Sequence, residues 1–345
     1  MNATELLYEI ESSMLANITR LLASGASASA EWQAQKLAQI GTLEAMNRRE
    51  LEKNLPEALE AAREEVRRRG KIEAGRVASS ITLTNALPPE ADLRLAEVWN
   101  IWETRTMNQF RALGMTMIEQ ANRVYIDTVY SATAKVLSGS STLRQAIAET
   151  AGGWAAKGIP ALVDRAGREW SVEAYAQTVV RSNVRQVTTE SSIAMAEELD
   201  HDLMEVSSHV GARPGCAPYQ GKVFSLNGNT RGYPRLSDTT YGDPGGLFGI
   251  NCTHYMLPYF PGTPKTFNTY PEKVNDAAYE RSQEQRKLER DIRYAKREKV
   301  LATELKDKEA IEKAQAKISE RQEKMREFID ETGRTRLRER EQIIT

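Results

Sequence analysis

Between His201 and Gly262 the chain stops reading as a helical protein. The stretch is rich in Gly, Pro, Asn, Asp, Ser and Thr. Its strand-forming runs are short: LMEVSSH at 203–209, KVFSL at 222–226 and CTHYMLPYF at 252–260. Around them, RPGCAPYQG, LNGNTRGYP and TTYGDPGGLFGIN are turn chemistry. A module of about 60 residues with few aliphatics struggles to bury enough surface by itself. A disulfide, a metal or a packed neighbour has to make up the deficit.

Both cysteines of the chain, and two of its three histidines, fall in this segment: His209, Cys216, Cys252 and His254. The spacing is His-x6-Cys, a long Gly/Pro-rich excursion, then Cys-x-His. Zinc prefers such a tetrahedral set of nitrogen and sulfur ligands. On a strand, Cys252 and His254 at i and i+2 would share a face. Pro214 and Gly215 let Cys216 swing into place from a turn. Against this stand a bland reading, with buried thiols and locally bonded imidazoles, and a Cys216–Cys252 disulfide, disfavoured by the expected reducing compartment. The clustering favours the metal.

Catalysis has to be weighed on the same residues. Cys216 is a conceivable nucleophile with His209 or His254 as base, and a zinc with an open position activates water. Asn251 beside Cys252, together with the two histidines, gives a faint likeness to metal-dependent nucleases. The chain has no Gly-x-Ser-x-Gly elbow, no His-Glu-x-x-His and no phosphate-binding loop. Four Cys and His ligands would close the site, which is the structural pattern. Arg213, in HVGARPGC, is expected to staple its loop by bridging carbonyls or a carboxylate. Tyr219, Phe224, Tyr233 and Tyr241 are expected to cover the module's small core.

The flanks are helical. Leu7, Ile10, Met14, Ile18 and Leu21 recur at helical spacing. The pattern continues over 31–69 with Pro56 as a break, and TNALPPE at 84–90 reads as a turn. A helix over 91–118 carries Leu95, Val98, Trp99, Trp102 and Phe110, and Val124, Tyr125, Val129 and Val136 lead into the next. Trp99, Trp102, Trp154 and Trp170 are assigned to helix–helix packing. Thr142 and Gln145 form a capping box, Gly152 and Gly153 are expected to stop that helix, and Ser171 caps one running to about Leu199. From Pro271 a charged helical region carries Leu288, Ile292 and Ala295, then Ile311, Ala314, Ile318, Met325 and Phe328, at near-heptad spacing. Gly333 ends it, ahead of a basic tail of Arg334, Arg336, Arg338 and Arg340.

The fold expected is mainly α with a small β-rich, loop-rich central module (α+β) and a long, charged C-terminal helix. Its expected parts are a helical region at 1–200, a β-rich zinc module at 201–265 and a charged helical region at 266–345. A net charge of −1 over 345 residues argues against a dedicated nucleic-acid binder. No apolar run approaches the roughly 18 residues of a membrane helix. MNATELLYEIESSML lacks the basic start of a secretory signal.

SSHVGARPGCAPYQGKVFSL and GYPRLSDTTYGDPGGLFGINCTHYMLPYFPG resemble the tailed-phage minor capsid proteins of the second type. The likeness extends over roughly 140–340, through GIPALVDRAGREWSVEAYAQTVVRSNVRQ, SQEQRKLERDIRYAKRE and REFIDETGRTRLRER. Its motif positions make Gly221, Tyr233, Pro234, Gly246 and Asn251, with Arg213, candidate structural residues. Two positions depart from the family pattern. Cys216 stands where histidine is frequent, which suits a metal ligand better than an obligate nucleophile, and Thr253 stands where arginine is frequent. The resemblance implies a virion protein assembled in the host cytoplasm and related in role to Mu-type F head-morphogenesis proteins. Such a protein has a structural or assembly role at the portal or the head interior, in contact with the portal and other capsid proteins, and a role in ejection with the DNA follows from the same likeness. A DNA contact through the basic tail is a further expected partnership. The rival from another class is a zinc-dependent hydrolase or nuclease carried in the virion.

Overall fold

Long helices dominate the computed structural model, which describes residues 2–23, 30–82, 89–163 and 169–343. In order they are α1 (Ala3–Ala23), α2 (Ala30–Ala38), α3 (Ile40–Thr82), α4 (Pro89–Leu137) and α5 (Leu143–Lys157). A hairpin of β1 (Pro160–Val163) and β2 (Glu169–Ser171) leads into α6 (Val172–Glu198). Three short strands follow, β3 (Leu203–Val206), β4 (Val223–Ser225) and β5 (Met256–Pro258), and the chain ends with α7 (Glu272–Glu304) and α8 (Lys308–Thr332). The mainly α fold with a small β-rich module is as the sequence leads one to expect.

Local signals succeed where a side chain replaces a missing backbone bond. Thr142 and Gln145 form the reciprocal capping box at the start of α5. The Ser171 hydroxyl accepts from Ala174 N–H at 3.2 Å and so caps α6. Breakers mislead in two helices. Pro56 lies inside α3 without ending it. Pro56 and Glu52 are both exposed, so the carbonyl that loses its partner faces solvent. Gly152 and Gly153 sit inside α5, which stops only at Gly158. The two helices expected over 91–136 are the single α4. The charged C-terminal region divides at Lys306 (φ 55°), with the Asp307 carboxylate capping α8 by accepting from Ala310 N–H. Of the expected turn at 84–90, residues 84–88 lie outside the described residues.

The chain forms two compact units. The first comprises 1–58, 110–176 and 283–345. Leu7, Ile10, Met14, Ile18 and Leu22 of α1 are buried there, as are Phe110, Tyr125 and Ile292. Within it α8 runs antiparallel to α7: Lys299 meets Gln315, Lys317 meets Glu298, and Arg321 donates to the Asp291 carbonyl. The tail folds onto α7 as well. Arg334 donates to Gln285 at 2.6 Å, and Arg336 forms a two-pronged pair with Glu341. Arg334 and Arg336 are therefore engaged within the chain, and the Arg340 charge acts on the buried Glu289 carboxylate.

Glu11 of α1 is 1% exposed. One carboxylate oxygen accepts from Ile159 N–H at 2.8 Å, and the other has no hydrogen-bond partner among the described residues. Arg297, 6% exposed, directs its guanidinium to Glu173 at 2.7 Å and lies over the Tyr8 ring. Burial raises the Glu11 pKa from 4.5 to about 7 against the opposing pull of Arg297. A carboxyl with a raised folded-state pKa destabilises the fold above its ordinary pKa. Stability is therefore expected to fall by roughly 3 kcal/mol as pH rises from about 4.5 to above 7. Glu11→Gln should flatten that slope in denaturant titrations at pH 5 and pH 8. An unchanged slope would show that Glu11 titrates normally.

The second unit comprises 59–109 and 177–282. Its sheet has the order β4-β3-β5, with both pairings antiparallel; Met204 faces Phe224 on one side and Pro258 on the other. The central strand β3 is buried on both faces. Even Glu205 is buried, its carboxylate accepting from Thr266 and Phe267 N–H at 2.8 Å each. Val66, Val77, Leu95, Trp99, Trp102, Val187 and Met195 of the helices form one hydrophobic cluster with Met204, Val206, Phe224, Leu236, Phe248 and Met256. The module's shortage of core is met by this packed neighbour. Tyr219 and Tyr241 pack on the cluster's edge, and Tyr233 meets the Tyr259 ring.

Candidate metal centre

Two loops and an extended segment of the second unit converge on a pair of thiols. Cys216 follows a tight turn in which Cys216 N–H donates to the Arg213 carbonyl at 2.9 Å. The Arg213 fork reaches across to the other loop. It donates to the carbonyls of Ile250 and Gly246 at 2.6 and 2.5 Å, and its Nε lies 3.3 Å from Cys216 Sγ. Arg213 thus bridges carbonyls and also supplies a positive donor to a sulfur.

The second loop is pinned by α6. Gln186 donates to the Phe248 carbonyl at 2.8 Å, Arg185 to the Cys252 carbonyl at 3.3 Å, and Asn251 N–H to the Ser182 hydroxyl at 3.2 Å. Phe248 and Asn251 both have φ of 57°, a left-handed conformation that is unusual for a phenylalanine. The bend turns Phe248 N–H onto Cys252 Sγ at 3.2 Å. Gly246 lies where a Cβ would press to 2.0 Å from the Thr240 carbonyl, and Gly221 has φ of 65°. Tyr233 is half-buried, and Pro234 is exposed, with its carbonyl accepting from Ser225 N–H.

Cys252 and His254 precede β5 instead of lying on it. The backbone there is extended, with burial alternating from Cys252 to Met256, so the shared face expected of a strand is kept. Cys216, Cys252 and His254 are 1%, 6% and 2% exposed. Their ligand atoms all lie within 4.8 Å of one another. The two sulfurs are 3.8 Å apart, and Cys252 Sγ is 3.4 Å from His254 Nδ1. Tetrahedral zinc with ordinary bond lengths separates two sulfurs by about 3.8 Å and a sulfur from a nitrogen by about 3.6 Å. Two edges of the donor set therefore match a thiophilic divalent cation, and the third is no longer than 4.8 Å. Both cysteines are free thiols, far from the roughly 2.05 Å of a disulfide.

His209 stands beside this group. Its ring stacks on His254 with centroids 4.6 Å apart, and its Nε2 lies 2.8 Å from the Thr253 hydroxyl. The structure therefore brings together three of the four sequence candidates and puts the fourth ring against the third. Thr253 gives His209 its partner.

Charge at the thiols is divided unequally. The Cys216 S–H donates to Cys252, holding Cys252 well below the ordinary thiol range, and His254 pulls the same way against the effect of burial. The same shared proton and burial push Cys216 up. The pair gives up one proton easily and holds the other, which a divalent cation would displace. Burial and the nearby His254 lower the His209 pKa.

Residue-type reasoning overlooked Gln220 and Asn275. Gln220 accepts from His209 N–H at 3.1 Å and lies 3.4 Å from His254 Nε2. Asn275, 1% exposed on α7, accepts from Gly211 and Ala212 N–H. Gln220 lies within the Gln-Gly-Lys-Val stretch, where its neighbours carried the likeness. Asn275 is the one asparagine of a charged helix, and nothing local marks it.

A sequence profile described as phage minor capsid protein 2 matches residues 1–330. A structural protein of Lactococcus phage LL-H is 32% identical over 220 residues, which is 61% of this chain and 59% of that protein. A structural protein of Lactococcus phage mv4 is 35% identical over 115 residues, covering 32% of this chain and 92% of that protein. The chain thus matches about 59% of the length of the LL-H protein. No solved structure matches significantly. No helix among the described residues is long and apolar enough to cross a membrane.

Proposed function

The chain belongs to the phage minor capsid protein 2 family, and from that premise we propose that it is a head-morphogenesis protein. In this reading it is assembled in the host cytoplasm, joins the portal and other capsid proteins, and carries a structural zinc on Cys216, Cys252 and His254, with His209 beside it. The observation that carries the metal is the pair of separations, 3.8 Å and 3.4 Å, within a buried donor set. The helical region at 1–200 and the charged region at 266–345 supply long surfaces for partner contacts, and the module at 201–265 is the rigid element between them in sequence. Departure from the head with the DNA belongs to the same reading. A DNA contact would draw chiefly on Arg338, since Arg334 and Arg336 are engaged within the chain and the Arg340 charge acts on the Glu289 carboxylate.

One observation favours a second reading, a zinc-dependent hydrolase or nuclease: three clustered ligands leave a fourth position for water. The burial of all three speaks for structure, because a substrate has to reach the metal. The head assignment is tested by quantifying the chain in procapsids assembled with and without portal. It is expected in portal-containing particles at few copies and to be depleted when portal is omitted. Equal incorporation without portal would overturn the portal contact.

A further inference from the structure

We propose that Asn275 and Gln220 are positioning residues that keep His254 Nε2 protonated and turned to an amide oxygen, so that Nδ1 is the atom the ring offers to a thiophilic divalent cation. The ligand-atom assignment rests on the metal reading above. The Nε2 hydrogen does not, because it follows from hydrogen bonds in the metal-free protein.

Side-chain amides are ordinarily ambiguous between oxygen and nitrogen. Here backbone groups, whose roles are fixed, remove the ambiguity. Asn275 Oδ1 faces two N–H donors, Gly211 at 3.1 Å and Ala212 at 2.9 Å, while its Nδ2 faces the Ala212 carbonyl at 2.7 Å. No other orientation of that amide puts donors against acceptors. Gln220 Nε2 then donates to Asn275 Oδ1 at 3.4 Å, and Gln220 Oε1 accepts from His209 N–H at 3.1 Å. The atom 3.4 Å from His254 Nε2 is therefore an acceptor. A bare Nε2 would set lone pair against lone pair, so Nε2 carries the hydrogen. Nδ1 is then the nitrogen turned to the thiols, 3.4 Å from Cys252 Sγ, and shares a hydrogen bond with that sulfur that a cation would replace.

Burial makes the assignment binding. Asn275, Gln220 and His254 are each at most 2% exposed, so water does not substitute for a lost partner. His209, stacked at an interplanar angle of 28°, limits rotation of the ring. The arrangement is that of a metal-ligating histidine whose second nitrogen donates to an amide oxygen. Asn275 also secures the loop that bears Cys216, through Gly211 and Ala212. One side chain in the first turn of α7 thus sets two of the three ligands.

The test uses the full chain labelled with 15N-histidine, in which only three histidines contribute signals. Long-range 15N–1H correlation on metal-free protein is expected to show His254 protonated at Nε2. Adding zinc should shift Nδ1 and leave the Nε2 proton in place. Gln220→Leu removes the acceptor; it is expected to free Nε2 of its fixed hydrogen and to weaken zinc binding about 10- to 100-fold. Gln220→Glu keeps an acceptor and should retain the Nε2 hydrogen. An unprotonated Nε2 in the wild type, a measurement that needs no variant to fold, overturns the proposal. So does an Nε2 signal unchanged in Gln220→Leu. A wild-type chain that takes up no zinc sinks the metal reading and the ligand-atom assignment, while the metal-free spectrum still decides the positioning role.

Discussion

Protein purified without chelators is expected to carry about one zinc ion per chain, and Cys252→Ser is expected to lose it. Cys252 is the residue to change because it touches both of the other clustered ligands. Its sulfur accepts from Phe248 N–H, faces Cys216 at 3.8 Å and lies 3.4 Å from His254. A serine oxygen is a harder and shorter ligand, and its alcohol does not ionise at neutral pH. Loss of an outer-shell partner alone costs about 10- to 100-fold in affinity, so removal of the ligand itself should exceed that range. Metal analysis with competition against a chromophoric chelator reads the effect. Wild-type protein free of zinc would end the metal reading.

The mutant is expected to loosen the module without dissolving it. Zinc sites supply folding free energy outright in domains that have no other core. Here Met204, Phe224, Phe248 and Met256 belong to a hydrophobic cluster shared with the helices of the same unit. Protease should therefore cut Cys252→Ser in the loops near 210–220 and 243–253, while 177–198 stays protected. A mutant as resistant as the wild type would mean that the site contributes little to the fold. Cobalt substitution separates the structural and catalytic readings. Four protein ligands would require the His209 ring to turn inward, whereas three and a water would leave the position that chemistry needs.

What the sequence could and could not convey follows from the range of each interaction. Caps are local, and Thr142 with Gln145 and Ser171 with Ala174 were legible because each satisfies a backbone donor three residues away. Breakers are local too, yet the helices run on past Pro56 and Gly153, so a local penalty did not decide where they end. The thiols and His254 were legible as a cluster because the chain has so few such residues to distribute. The placement of His209 was not, since it depends on the Thr253 hydroxyl and on how a ring stacks. Asn275 was least legible of all. Its partners Gly211, Ala212 and Gln220 are more than fifty residues away, and none of them differs in type from ordinary loop residues. The need for a packed neighbour was readable from the poverty of the module, but not the identity of that neighbour.

Trp99→Ala should be the most damaging core substitution in the second unit, costing about 3–5 kcal/mol. Trp99 is 7% exposed on α4 and joins the hydrophobic cluster that the helices share with the module. Its indole N–H donates to the Ser191 hydroxyl of α6 at 3.0 Å. On α3 it meets Gly70, where an added Cβ would come within 2.4 Å of the indole nitrogen. Truncation opens a cavity where three helices meet and strands the Ser191 hydroxyl, which is fully buried. Trp99→Phe separates the two contributions. It keeps most of the ring and loses the donor, so it should cost about 1–3 kcal/mol. Gly70→Ala approaches the same contact from the other side and should cost about 1–3 kcal/mol through overpacking. The chain has five tryptophans, so fluorescence would mix their signals. Hydrogen exchange in 177–198 and 203–206 reads the site directly, with 3–23 as the comparison. Because β3 is buried on both faces, its amides should lose protection together with those of α6. If Trp99→Ala exposed α6 and left β3 protected, the module would hold its own core, and the metal would then have to supply what the helices do not.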